Sequence, residues 1–187
     1  LAPLSVGKVG EREYRSMPML LKSAWERAGS PEVSSLEGYL DVIQRMKRAK
    51  PTNNVGESMY GICLWQGDGK MPGHAASLAY MYGIDMQIVS PLMEVNLATN
   101  EICSILDEGS FFKRAVRFYY EANKRGLLDP DSPNQTFGNV ERKMNSGRVL
   151  FASDLAMAGL GDSLRAPEDS AYMPLPAKDM ALYLEPD

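Results

Sequence analysis

Short apolar runs alternate with amphipathic helical patterns along this chain, and that alternation constrains the fold more than any other feature. Strand-like runs at residues 18–21, 59–65 and 148–152 are separated by helical patterns, the clearest at residues 36–50 and 111–126. Strands that alternate with helices build layered α/β folds. We therefore predict an α/β fold with a mixed sheet and helices on both of its faces.

The remaining segments carry weaker patterns. Short helices are predicted at residues 23–29 and 75–82, and another begins after Thr136. Residues 83–106 show no dominant period, so we predict short strand-like pieces joined by loops there. Residues 172–176 read as a last extended segment whose prolines are typical of an edge strand.

Length and composition indicate a soluble protein with one packed core. The chain has 187 residues, of which 44% are hydrophobic and 24% charged, so we treat residues 1–187 as one domain. The net charge is −4, and Lys and Arg are scattered among the acids, so the sequence shows no basic stripe that could follow a nucleic-acid backbone. No apolar run reaches the roughly 18 residues that a membrane span needs, and residues 1–4 do not resemble a signal peptide. We expect a soluble chain that is a processed protein or a fragment.

The sequence contains few of the groups that catalysis requires. His74 is the single histidine, which leaves no second imidazole for a metal cluster, and no serine lies in the Gly-x-Ser-x-Gly pattern of a hydrolase. Because His74 follows Gly73 at a predicted helix start, we expect a surface or capping side chain there. No catalytic residue is predicted.

Two short stretches superficially match known ligand loops. Residues 67–70 lack the more distant glycine and the Ser or Thr of a phosphate loop. Asp129 and Asp131 have the first spacing of a calcium loop, but Pro133 and Val140 stand where further ligands are required. We therefore predict no nucleotide, no metal and no other cofactor, and we interpret the two aspartates as turn residues.

Cys63 and Cys103 are the two cysteines of the chain. Cys63 lies in an apolar strand-like run, which is typical of a small buried thiol. A disulfide between the two would need an oxidising compartment and is the less favoured alternative.

The residues that follow two of the predicted strands are the best candidates for ligand binding, because open α/β sheets bind ligands beyond the carboxyl ends of their strands. Trp65 ends one apolar strand and is followed by Gln66 and Asp68 in a polar, glycine-rich loop. Its flat ring can stack on a sugar or simply pack on the core. Ser153 and Asp154 follow another strand and can bond to ligand hydroxyl groups or to nearby backbone.

Five segments of the sequence resemble the family 1 extracellular solute-binding proteins, and more specifically the lipoprotein-type members of Gram-positive bacteria. They are residues 29–40, 60–65, 104–109, 118–132 and 147–151. Each segment alone is a modest pattern, but their common order and spacing extend over about residues 17–155. The resemblance therefore covers most of the chain.

The resemblance implies a parent protein with two lobes of the type II periplasmic-binding-protein kind. This chain is similar to the lobe that is inserted between two stretches of the other. In such proteins a small ligand, here a sugar or oligosaccharide, binds in the cleft between the lobes, and closure of the cleft presents it to the membrane permease of an ABC importer. The expected protein is a monomer, extracellular, and anchored at the cell surface by a lipid on the parent chain.

The sequence departs from this family at two places. Lys22 and Ser23 stand where members often carry a Trp-Asp pair, and residues 153–157 stand where they carry an aromatic cluster. We include Lys22 and Ser23 among the predicted ligand-binding residues for this reason. A smaller, more polar or charged ligand is therefore an alternative to a sugar.

The sequence also leaves two other functions open. A pair of carboxylates could hydrolyse glycans, although the sequence singles out no pair. The 12 methionines could form a protein-interaction surface, although methionine usually fills cores.

Overall fold

The computed structural model describes residues 17–67, 71–86, 92–153 and 168–180. The elements within these ranges follow the predicted alternation of strands and helices. In chain order they are β1 (Met19–Leu21), α1 (Lys22–Arg27), α2 (Gly38–Ala49), β2 (Tyr60–Ile62), α3 (Met71–Tyr80), β3 (Ile84–Asp85), β4 (Met93–Asn96), β5 (Ile102–Ser104), α4 (Phe111–Lys124), α5 (Phe137–Asn145), β6 (Val149–Ala152) and β7 (Tyr172–Pro174), with a 3-10 turn at Glu168–Ser170. None of the described helices combines the length and the apolar composition that a bilayer crossing requires.

Four strands form a mixed sheet in the order β2-β6-β1-β7. β2 and β6 are parallel, whereas β1 is antiparallel to both of its neighbours, with Met19 opposite Ala152 of β6 and Pro174 of β7. Every residue of β1 and β6 is buried. Because successive side chains of a strand point to opposite faces, both faces of this sheet are covered. The predicted mixed sheet is confirmed, and proline lies in an edge strand, as the sequence predicts.

Helices α2 and α4 pack against the centre of this sheet. The ring of Tyr39 in α2 lies 5.0 Å from that of Phe151 in β6, and the ring of Phe118 in α4 lies 6.1 Å from it. α4 begins after Ser110, whose side-chain oxygen accepts a hydrogen bond from the backbone N–H of Lys113. Burial of such apolar surface, at about 25 cal/mol per Å², is the main favourable contribution to folding.

The chain after α4 returns very close to β2. The backbone N–H of Ile62 donates to the carbonyl of Leu127, and the N–H of Asp129 donates to the carbonyl of Ile62, both at 2.9 Å. A Cβ atom at Gly61 would lie 2.7 Å from the Leu127 oxygen and 2.9 Å from Ile43 Cγ2. These distances are too short for any side chain, so the close approach requires glycine.

A second sheet, antiparallel and in the order β3-β4-β5, is formed by the segment without a dominant period. Glu94 of β4 is 4% exposed, and its carboxylate accepts the backbone N–H groups of Phe111 at 2.7 Å and Phe112 at 3.0 Å. A carboxylate at a helix N-terminus satisfies N–H groups that have no partner within the helix. The predicted strand-like pieces are confirmed, but the sequence does not predict that they pair in a sheet of their own.

Candidate functional site

The parallel strands β2 and β6 end at the same edge of the four-stranded sheet, which we call the carboxyl edge. Trp65 and Gln66 follow β2, and Ser153 follows β6. The hydroxyl of Tyr119 in α4 lies 3.4 Å from Ser153 Oγ and donates to the carbonyl of His74 at 3.2 Å. The structure therefore brings three of the predicted ligand-binding residues to one edge, and His74 of α3 and Tyr119 of α4 link two of them, Trp65 and Ser153.

Trp65 is buried at the carboxyl edge, with 4% of its surface exposed. Its indole meets the imidazole of His74 edge-on, with ring centroids 4.3 Å apart, and lies 5.2 Å from the ring of Phe137 in α5. This packing favours the core role over sugar stacking, the two roles that the sequence leaves open for Trp65. In this arrangement only a small part of the ring is accessible from outside.

His74 is not a surface residue, and that prediction is wrong. It is 2% exposed, because α3 begins at Met71 and places His74 in its first turns, facing the segment after β2. Its Nε2 atom lies 3.2 Å from the backbone nitrogen of Trp65 and 3.1 Å from the Trp65 carbonyl oxygen. These contacts offset the cost of burying a polar ring.

Gln66 is exposed at the carboxyl edge, and the backbone around it is held by residues 129–135, which we call the support loop. The N–H of Gln66 donates to the carbonyl of Gln135 at 3.3 Å, Nε2 of Gln135 donates to the carbonyl of Leu64 at 2.6 Å, and the N–H of Leu64 donates to Ser132 Oγ at 3.2 Å. Since β2 has already ended, these bonds position the segment in place of strand pairing.

Lys143 of α5 lies at the centre of the support loop. Its ammonium donates to Asp129 Oδ2 at 2.5 Å, to Asp131 Oδ2 at 3.0 Å and to Gln135 Oε1 at 3.0 Å, and it lies 4.8 Å from the centroid of the Tyr60 ring. Burial alone would raise the pKa of the Asp129 carboxyl. The hydrogen bonds from Lys143 and from the backbone outweigh burial and lower that pKa.

Asp129 and Asp131 are the turn residues that the sequence predicts, since the N–H of Asp131 donates to Asp129 Oδ1 at 3.0 Å. The ammonium of Lys143 lies between their carboxylates, so the chain itself supplies the positive charge that these acids require. Across the described residues, no group of three or more His, Cys, Asp or Glu side chains has an arrangement that could hold a metal ion.

Both cysteines are free thiols, so the disulfide that the sequence disfavours is not formed. Cys63 is 2% exposed and donates to Asp129 Oδ2 at 3.3 Å. Burial and this carboxylate raise the pKa of the Cys63 thiol well above its usual value. Cys103 is partly exposed in β5 and lies 3.5 Å from Glu94 Oε1.

Lys22 and Ser23 lie at the opposite edge of the sheet, because β1 runs antiparallel to β6. At about 3.3 Å per residue, the length of β6 separates the two edges by roughly 13 Å. Lys22 is exposed and pairs with Glu26 at 3.9 Å. Ser23 Oγ accepts a hydrogen bond from the buried ammonium of Lys50 at 2.8 Å. The structure therefore does not support their grouping with Trp65 and Ser153.

Asp68 and Asp154 fall outside the described residues. They follow Gly67 and Ser153 directly in the sequence, and their roles in ligand binding stay predictions.

Three residues of the carboxyl edge and its support were missed by sequence reasoning: Tyr119, Gln135 and Lys143. Tyr119 reads as part of the broad apolar face of α4, and its hydroxyl gives no separate signal. The spacing of Asp129 and Asp131 did mark the support loop, with Gln135 at its seventh position. Nothing in the pattern shows that a lysine of the following helix reaches into it.

No protein-family model matches the chain, and no curated protein matches it either. Among solved structures, the chain is similar to the S. pneumoniae ABC-transporter substrate binding protein FusA, an EF-hand mutant in complex with fructo-nystose, with a TM-score of 0.61 and 13% identity over 96% of this chain and 36% of that one.

Two further structures are similar in the same way. An HMO-binding, ABC-transporter-associated solute binding protein from Bifidobacterium longum infantis has a TM-score of 0.62 and 14% identity over 89% of this chain and 34% of that chain. The sugar-binding protein MalE from Xanthomonas citri has a TM-score of 0.53 and 17% identity over 90% of this chain and 39% of that chain.

The chain thus spans between 34% and 39% of the length of these three proteins. At such low identity the likeness shows the fold alone. The mixed sheet and its covering helices therefore have the periplasmic-binding-protein-like fold that the resemblance in the sequence implies.

Proposed function

We propose that this chain is one lobe of an extracellular solute-binding protein that captures a sugar or oligosaccharide for an ABC importer. The likeness over 96% of this chain to a substrate-binding protein solved with fructo-nystose carries the proposal. Similar structures were solved with kestose and with laminaribiose. The share of those proteins that the chain covers fits a single lobe, and residues 1–187 correspond to the inserted one.

The chemistry of the carboxyl edge supports a neutral ligand with many hydroxyl groups. Gln66 presents an exposed amide, which both donates and accepts hydrogen bonds. Behind it lie two hydroxyl groups 3.4 Å apart, those of the buried Ser153 and the half-buried Tyr119. All three are uncharged, which suits a sugar better than the charged alternative. Trp65 is buried and packs behind this edge, inside the lobe.

Two further residues of this lobe and the second lobe supply the other contacts with the ligand. Asp68 and Asp154 follow the same two strands and are proposed as further contacts. A second lobe closes over the ligand by hinge motion, and the closed form delivers it to the membrane permease. The chain binds the ligand without chemical turnover, as a monomer, and the parent protein is held at the outer cell surface by a lipid.

Calorimetric titration of the complete two-lobed protein with kestose, laminaribiose and related oligosaccharides tests this proposal. We expect saturable binding that weakens about 5- to 10-fold in Gln66→Ala, since one hydrogen-bonding group is worth about 1 kcal/mol. The matched control is Asn123→Ala, an exposed amide at the end of α4, which should leave the affinity unchanged. The absence of heat with every sugar, or equal loss in both variants, would contradict the proposal.

A further inference from the structure

A single ammonium group organises the support loop. Lys143 Nζ contacts three oxygen atoms, from Asp129, Asp131 and Gln135, at 2.5, 3.0 and 3.0 Å. The side chain of Lys143 is 14% exposed and that of Asp129 is fully buried. Lys143 also lies in the last turn of α5, where a positive charge interacts favourably with the helix dipole. The ammonium group of Lys143 is therefore held in the support loop by hydrogen bonds to three side-chain oxygen atoms.

The support loop contacts the segment that carries Trp65 and Gln66 through two of its side chains, Asp129 and Gln135. Asp129 Oδ2 accepts from the ammonium and from the thiol of Cys63 at 3.3 Å. The amide of Gln135 bridges two partners, because its oxygen accepts from Lys143 while its Nε2 donates to the carbonyl of Leu64 at 2.6 Å. The ammonium thus dictates which way the Gln135 amide faces.

We propose that Lys143 is a positioning residue of the carboxyl edge. It orients Asp129 and Gln135, which hold the segment after β2 in the position from which Gln66 reaches the ligand. The link to ligand binding rests on the proposed function, whereas the positioning of the segment does not.

Amide hydrogen exchange of the 187-residue chain without ligand tests the positioning. In Lys143→Met, the amides of Leu64 and Gln66, which donate to Ser132 and Gln135, should exchange about tenfold faster, as expected when about one hydrogen bond's worth of stabilisation is lost. The amide of Ile62 lies in β2 and donates to the carbonyl of Leu127, outside the support loop, so it should stay protected.

A second variant keeps the test decisive if Lys143→Met does not fold. Gln135→Leu leaves the Lys143–Asp129 pair intact and removes only the bridging amide, so the same two amides should lose protection. The matched control is Lys113→Met. In the wild type the ammonium of Lys113 pairs with the exposed Glu108 at 2.7 Å, so this substitution should change the exchange of neither amide. Unchanged protection of Leu64 and Gln66 in Gln135→Leu, or an equal loss at Ile62, would overturn the proposal.

Titration with kestose separates this inference from the proposed function. If the wild-type two-lobed protein binds and both Lys143→Met and Gln135→Leu bind several-fold more weakly, the role of Lys143 in ligand binding is supported. If either variant binds as tightly as the wild type although Leu64 and Gln66 have lost protection, that role is overturned. If the wild type binds no sugar, the proposed function fails, and the exchange data still decide whether Lys143 positions the segment.

Discussion

The backbone nitrogen of Trp65 lies 3.2 Å from Nε2 of His74, and the two rings meet edge-on at 4.3 Å. The pair joins the segment after β2 to the first turns of α3, and both residues are buried. A buried donor that loses its acceptor has no water to replace it. The carboxyl edge therefore depends on the only histidine of the chain.

Substitution of His74 by Leu should destabilise the protein by about 1–3 kcal/mol, because it removes the contacts of the buried imidazole with the backbone nitrogen and oxygen of Trp65. Urea unfolding of wild type and variant measures the difference. His74→Gln keeps a side chain that can accept and donate, so it should lose less. Equal losses in the two variants would show that ring packing, and not the hydrogen bond, is what matters.

Substitution of Gly61 by Ala should cost about 1–3 kcal/mol, the range of overpacking in a well-packed core. The added methyl group would meet the Leu127 carbonyl oxygen at 2.7 Å and Ile43 Cγ2 at 2.9 Å. Gly109→Ala is the control, since no atom lies within 4 Å of a Cβ there. Thermal unfolding should separate the two variants clearly, and similar melting temperatures would refute this explanation for the glycine.

The pair between Glu37 and Arg114 should give stability that depends on pH. Two hydrogen bonds from Arg114, at 2.8 and 2.9 Å, lower the pKa of the Glu37 carboxyl from 4.5 to about 2. A lowered carboxyl pKa stabilises the folded state above pH 4.5, and this contribution is lost as the pH falls toward 2. Since the Glu37 side chain is 57% exposed, solvent screening limits it to about 0.5–1 kcal/mol.

Urea unfolding of wild type and Glu37→Gln at pH 7 and at steps down to pH 3 checks this expectation. The gap between the two proteins should narrow as the pH falls. Glu108→Gln is the control, because the carboxyl of Glu108 is 91% exposed in its pair with Lys113. A gap for Glu37→Gln that does not change with pH would contradict the assigned pKa.

The two thiols should react at very different rates in the folded protein. Burial raises the pKa of Cys63 and also blocks access to it, so it should react with a thiol reagent only after unfolding. Cys103 is partly exposed and should react first. Cys103→Ser should abolish the early reaction, and a reducing agent should leave the melting temperature unchanged. Equal rates for both thiols in the native state would argue against the buried position of Cys63.

Local patterns in the sequence predict most of the elements, because they depend on neighbours along the chain. α4 has apolar residues at helical spacing on one face, and it was predicted at residues 111–126. β6 is a short apolar run, and its observed bounds lie within the predicted ones. Hydrophobic periodicity is sufficient for such elements.

The composition of the carboxyl edge depends on contacts between distant parts of the chain and could be predicted only in part. The sequence places Ser153 and Gln66 at one edge because parallel strands end together, and their contact with a ligand stays a prediction. Lys22 was misplaced because nothing local reveals that β1 runs opposite to β6. The burial of Trp65 follows from the approach of His74 and Phe137, which no pattern around residue 65 records.

The reversed direction of β1 has a mechanical consequence. Met19, its first residue, lies opposite Ala152 and Pro174, near the ends of β6 and β7. The chain therefore enters this sheet beside the side chains proposed to meet the ligand. Any tilt of β1 about its first residue would displace Lys22, at the far end of the strand, more than it displaces a side chain near Met19, because displacement in a rotation grows with distance from the axis.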